Sequence, residues 1–137
     1  VTFCDIVEER AVKGAEKFGL KGATVYTDYR KLLDKEKLDI VHICTPNSSH
    51  AEITVAALEA GCHVMCEKPM AKTAEGARQM VAAAKRTGKK LTIGYQNRFR
   101  ADSQYLKAFC EKGGMGEATL TRVMLRSRSR GWRRCRR

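Results

Sequence analysis

DIVHICTPNSSHAEITVAALEAGCHVMCEKPMA, residues 39–71, sets the reading of the whole chain. Its two apolar runs, Ile40-Val41-His42-Ile43-Cys44 and His63-Val64-Met65-Cys66, are too short for helices and too continuously apolar for half-exposed strands. They read as parallel strands buried on both faces. Between them Ser48 or Ser49 can cap a helix whose Ile53, Ala56, Ala57 and Ala60 share one helical face, and Gly61 can end it. Strand, helix and strand form a βαβ unit with a polar turn after each strand.

Working outward, Val1 to Cys4 reads as a strand followed at once by Asp5. A helix over Glu8 to Phe18 follows, with acids in its first turn, Ala11, Ala15 and Phe18 inward, and Gly19 as its stop. Ala23 to Thr27 is a short strand, and Asp28 can cap a short helix carrying Leu32 and Leu33. Beyond the central unit, Thr73 can cap a helix to Thr87 with Ala74, Ala77, Val81 and Ala84 inward, Lys85 and Arg86 near its negative end, and Gly88 after it. Lys90 to Tyr95 is a further strand, ending in Gln96-Asn97-Arg98-Phe99. Asp102 or Ser103 starts another helix through Cys110, with Leu106, Phe109 and Cys110 on one face. From Glu117 to Thr121 the pattern turns to alternation, which suggests an antiparallel strand opening a second, α+β domain. Alternating strands and helices imply an α/β fold with a doubly wound parallel sheet.

Composition narrows the classes. A chain of 137 residues with 43% hydrophobic content suits one domain with a real core. It has no apolar run of membrane-spanning length and no signal-peptide pattern, so a cytoplasmic protein is expected. Six cysteines, Cys4, Cys44, Cys62, Cys66, Cys110 and Cys135, lack the paired spacing of structural zinc. Cys62 and Cys66 come nearest, but strand positions four apart are roughly 13 Å apart along the backbone. Reduced, buried thiols are expected, with no metal and no disulfide.

The net charge of +12 is unevenly placed: residues 122–137 hold eight arginines and no acid, leaving +4 for residues 1–121. Such a tail can be a nucleic-acid-binding arm. Trp132 stands alone in it, without the interleaved aromatics of a base-stacking surface. The plainer reading is a disordered or artefactual end.

Open α/β sheets bind ligands beyond the carboxyl ends of their strands. Four such ends are polar here: Asp5, Thr45-Pro46-Asn47, Glu67-Lys68-Pro69 and Gln96-Asn97-Arg98. They are expected to line one crevice. Asp5 is placed either to cap the following helix or to bind the ribose hydroxyls of a dinucleotide. By type alone, Lys68 beside Glu67 is an exposed ion pair, and His50 a surface residue at a helix start.

CTPNSSHAEITVAALEAGCHVMCEKPMAKT, residues 44–73, together with GYQNRF, residues 94–99, resembles the Gfo/Idh/MocA family of NAD(P)-dependent oxidoreductases. The resemblance runs from about Val1 to Gly131. It implies a Rossmann-like sheet, hydride transfer between a nicotinamide cofactor and a sugar, inositol or related polyol, and homo-oligomers for full-length members. Asp5 resembles the ribose-binding acid, which favours NAD; NADP is the alternative, with Arg10 either the group to receive it or, as the plainer reading, a helix-surface arginine. Thr45, Pro46, Asn47 and His50 resemble the turn that passes the cofactor, and Glu67 lies beside its nicotinamide half. Lys68 resembles the catalytic lysine, aimed by a Lys68-Pro69 peptide that is often cis in the family. Asn97 and Arg98 resemble residues facing cofactor and substrate. His42 and His63 are left as structural.

The Gly-rich phosphate loop and first strand of that family are not in this sequence, nor are the aspartate and histidine that assist the lysine. The expected organisation is therefore an incomplete dinucleotide-binding domain over residues 1–100, the start of a C-terminal substrate or oligomerisation domain over 101–125, and the Arg-rich tail over 126–137. The expectation is a fragment whose strands two and three are separated from strands four to six, and which alone binds NAD poorly and catalyses nothing. The alternative function is an inactive Rossmann-like module whose Arg-rich tail binds nucleic acid.

Overall fold

Short apolar runs and capped helices alternate in the structure as the sequence pattern requires. The computed structural model describes residues 1–19 and 22–117. In order these form β1 (Thr2–Cys4), α1 (Glu8–Phe18), β2 (Thr24–Tyr26), α2 (Tyr29–Lys35), β3 (Ile40–Ile43), α3 (His50–Glu59), β4 (His63–Cys66), α4 (Ala74–Thr87), β5 (Leu91–Ile93), a 3-10 turn (Gln96–Phe99) and α5 (Ala101–Glu111). The strand expected from Glu117, the Arg-rich tail, Trp132 and Cys135 lie outside the described residues, apart from Glu117 itself. Among the described residues no helix is long and apolar enough to cross a membrane.

All strand pairs are parallel, and they make two sheets: β1–β2, and β3–β4–β5 in that order. In the larger sheet one row of neighbours is Ile43, Cys66 and Ile93, and the next on the same face is Val41, Val64 and Leu91. This face packs on α3 and α4 around Ala57, Leu58, Met80 and Ala83. The other face holds His42, Met65 and Thr92 in one row, and all three are exposed, as is Ile40 at 65%. The expectation of strands buried on both faces is thus corrected for the described residues: side chains alternate across a strand, and among those residues helices cover one side of this sheet.

Two helix caps are as the sequence suggests. Asp28 Oδ1 accepts from Arg30 N at 2.9 Å, and Thr73 Oγ1 from Gly76 N at 3.1 Å, each satisfying an N–H that the first turn leaves open. Gly88 follows α4 at φ +68°, a left-handed position that glycine takes at no steric cost. The inward faces of two helices are one position away from expectation. In α3 the buried residues are His50, Thr54, Ala57 and Leu58, while Ile53 and Ala56 are half-buried and Ala60 is exposed. In α4 they are Gly76, Met80 and Ala83, whereas Ala74 and Val81 are exposed. Gly76 lets the helices approach closely, since a Cβ there would sit 3.1 Å from that of Ala51. On α1, Ala11 is buried but Phe18 is 72% exposed.

The cysteine expectation holds for Cys62 and Cys66, which are buried and free; Cys4, Cys44 and Cys110 are free but exposed. Each of these three falls at a strand end or on an uncovered helix face.

The described residues fall into two compact units, one over Val1–Tyr95 and one beginning at Gln96. In the second, α5 starts after Arg100, whose guanidinium forms a two-pronged ion pair with Asp102 at 3.1 and 2.7 Å. Its Leu106 and Phe109 are exposed, and Phe109 stacks on Tyr105 with ring centres 6.3 Å apart.

Candidate active site

At the carboxyl end of β3 the chain leaves through Cys44 into the exposed turn Thr45-Pro46-Asn47. Ser49 shapes this turn. Its N–H donates to Pro46 O at 3.0 Å, and its hydroxyl lies 2.8 Å from the same carbonyl and 2.9 Å from Thr45 Oγ1. One hydroxyl hydrogen serves the carbonyl, so the Thr45 hydroxyl is the donor of the second contact. Ser49 stands at the N-cap of α3 yet makes no side-chain bond to the helix, because the turn has taken its oxygen.

At the end of β4, Glu67 continues the ladder, its N–H donating to Ile43 O at 2.9 Å. The Lys68-Pro69 peptide is cis. Glu67 Oε2 accepts from Lys68 N at 3.2 Å, and among the described residues no ion pair joins the Lys68 ammonium to Glu67. Lys68 is exposed. The Glu67 carboxylate lies over Gly94: a Cβ there would come 3.0 Å from Glu67 Oε1 and 3.2 Å from Oε2. Gly94 therefore leaves the slot that this carboxylate fills. The sequence reading missed it, although a glycine just past a strand is itself a sign of close approach.

His50 brings the two turns together. It is 2% exposed, with Nδ1 at 2.8 Å from Pro69 O and Nε2 at 2.8 Å from Thr45 O. A surface position for this residue is corrected by its burial. The signal was available in the spacing, since His50, Thr54, Ala57 and Leu58 fall at i, i+4, i+7 and i+8.

Cys44 Sγ lies 3.4 Å from His42 Nε2. Loss of hydration at the strand end, and then the Glu67 carboxylate, push its thiol up, which keeps it from acting as a ready nucleophile. His63 serves the backbone, with Nδ1 accepting from Lys90 N at 3.0 Å.

Asp5 stands in the smaller sheet, immediately after β1. Its N–H donates to Tyr26 O at 3.2 Å, and its Oδ1 accepts from Val7 N at 2.8 Å, just ahead of α1. Its second oxygen accepts nothing among the described residues. Arg10 is exposed on α1. Asn97 and Arg98 lie on the 3-10 turn of the second unit, where Gln104 Nε2 donates to Arg98 O. Of the four strand ends, the structure ties together the turns at 45–47 and 67–69. Among the described residues no group of three or more His, Cys, Asp or Glu could hold a metal ion.

Residues 1–95 match the GFO_IDH_MocA model, described as an oxidoreductase family with an NAD-binding Rossmann fold. The chain is similar to D-glucoside 3-dehydrogenase of Escherichia coli K12, 42% identical over 134 residues, which covers 96% of this chain and 38% of the relative. Similarity to inositol 2-dehydrogenase of Salmonella typhimurium LT2 is 35% over 118 residues, covering 85% of this chain and 35% of that one. Among solved structures, levoglucosan dehydrogenase in complex with NADH and levoglucosan superposes with a TM-score of 0.75 at 33% identity, covering 84% of this chain and 30% of that chain. The chain spans little more than a third of the length of the curated relatives.

Proposed function

The chain belongs to the Gfo/Idh/MocA oxidoreductase family, with its NAD-binding Rossmann fold, and on that premise we propose that the protein moves a hydride between NAD and a hydroxyl-bearing carbon of a sugar, inositol or related polyol. The observation that carries the proposal is the exposed Lys68 at the carboxyl end of β4, on a turn held beside Thr45-Pro46-Asn47. The relatives' names support the substrate class. They lend nothing to the nucleic-acid alternative.

NAD, when bound, supplies the hydride acceptor. Lys68 hydrogen-bonds the substrate hydroxyl and stabilises the negative charge that develops on its oxygen as the hydride leaves and the hydroxyl proton passes to solvent water, a role that suits an exposed ammonium with no ion pair among the described residues. Glu67 keeps its carboxylate folded over Gly94, beside the nicotinamide half. Thr45, Pro46 and Asn47 pass along the cofactor. Asp5 fits a ribose diol, because one oxygen is anchored on Val7 N and the other is left to accept. The same carboxylate repels a 2′-phosphate, which favours NAD over NADP. A homo-oligomer and a cytoplasmic location complete the proposal.

The test uses full-length protein, NAD and a panel of myo-inositol, levoglucosan and a methyl glucoside, with NADH absorbance as the readout. Turnover of at least one probe is expected, and Lys68→Met should cut kcat by about 10²–10⁴-fold. Absence of NADH binding, or a Lys68→Met variant with its kcat intact, overturns the reading.

A further inference from the structure

We infer that His50 is a positioning residue that ties together two loops with separate roles. Through Nδ1 it holds Pro69, and so the placement of Lys68, and through Nε2 it holds Thr45, and so the turn along the cofactor. This rests on the dehydrogenase reading above. His50 is 2% exposed and both ring nitrogens are committed to backbone carbonyls at 2.8 Å, so it reaches neither cofactor nor substrate itself. A carbonyl oxygen only accepts, so the ring nitrogen that carries the hydrogen donates to its carbonyl while the other nitrogen rests against the second carbonyl at the same distance. The ring is set in the first turn of α3, on the face that also buries Thr54, Ala57 and Leu58. Thr45 and Pro69 are themselves exposed, and their carbonyl contacts with one buried ring tie both turns to the packed layer.

The two bonds can be separated by shape. An asparagine amide nitrogen occupies the place of histidine Nδ1, and a glutamine amide nitrogen the place of Nε2. His50→Asn should therefore keep the bond to Pro69 and lose the bond to Thr45, and His50→Gln the reverse. In full-length protein, His50→Asn is expected to retain kcat on the best probe of the panel while weakening NADH binding about tenfold, the scale of one buried hydrogen bond. His50→Gln is expected to retain NADH affinity while kcat falls about tenfold. Amide hydrogen exchange gives a readout independent of turnover: residues 44–49 should loosen in the Asn variant and residues 67–71 in the Gln variant. A residue that merely supports the fold would move all of these together. Active wild-type protein whose Asn and Gln variants lose affinity, kcat and protection in parallel, or lose none of them, overturns the inference alone. Wild-type protein that neither binds NADH nor turns over a probe overturns the dehydrogenase reading, and the positioning role with it.

Discussion

Ile43, Ala57, Leu58, Val64, Cys66, Met80 and Ala83 form a buried cluster where β3, β4 and β5 meet α3 and α4, whereas among the described residues of β1, α1 and β2 only Ala11 is buried. On the dehydrogenase reading proposed above, both regions end their strands in polar residues that serve the same cofactor. They differ in what holds those residues. The turns at 45–47 and 67–69 are cross-tied through buried His50, and Asp5 is set by β1, by its bond to Tyr26 and by the Val7 contact. The proposed site would thus be distributed over a densely packed part, which places Lys68, and a lightly packed part, where Asp5 offers an acceptor oxygen.

The comparison breaks most readily at Leu58. It is 0% exposed, and Leu58→Ala should cost about 2–5 kcal/mol through lost transfer energy and the cavity left behind. Val25, half-buried on β2, should cost about 1 kcal/mol on truncation to alanine, since it has less apolar surface to return to water. Urea unfolding of the full-length variants measures both. Equal losses would mean that the β1–β2 pair is as well founded as the larger sheet.

The same difference in packing explains what the sequence made legible. Local chemistry was readable where one residue has one plain role. Asp28 and Thr73 cap as expected, and α1 runs from Glu8 to Phe18 as its acids and Gly19 suggested. Face assignment failed in α3 and α4 because alanines occur on every side of these helices, so they do not mark which side is inward. Met80 and Leu58 did, and reading the stripe from them gives the observed phase. His50 was hidden for a different reason. A histidine at a helix start reads as surface by type; its burial showed only in its spacing with Thr54, Ala57 and Leu58, and its backbone-carbonyl partners leave no mark in the sequence. Gly94 carried its own mark, a glycine just past β5, but that Glu67 fills the space it leaves is seen only in the fold.

A second, smaller effect sharpens the picture of the packed region by exposing a flaw in it. Thr54 is 0% exposed, and among the described residues its Oγ1 has no oxygen or nitrogen partner, only the weak one offered by the Cys66 thiol. A buried hydroxyl without a strong partner keeps the cost of its lost hydration. Thr54→Val preserves the shape and should stabilise the protein by about 1 kcal/mol in the same urea assay. A loss instead would show that the hydroxyl is satisfied in solution.

The smallest expected effect lies in the link between the two regions. From α2, Tyr29 Oη donates to Glu52 Oε1 of α3 at 2.8 Å, and Arg30 pairs with the same carboxylate while its guanidinium lies 4.5 Å over the Tyr29 ring. The Arg30 and Glu52 side chains are 65% and 62% exposed, so a double-mutant cycle on them should give about 0.2–1 kcal/mol, less in high salt. Tyr29 adds a pH dependence. Burial, followed by its hydrogen bond to Glu52, pushes its hydroxyl above the ordinary tyrosine value of 10.0. The unfolded chain then ionises first, so this stabilisation is complete below about pH 10 and is lost as pH rises through the folded value. Tyr29→Phe should flatten that alkaline limb. Tyr26 is raised as well, by burial and then its bond to Glu36, so Tyr26→Phe is the control that leaves the Glu52 link in place. A coupling well above 1 kcal/mol would make α2 and α3 a structural joint, and the lightly packed region would then borrow its order from the packed one.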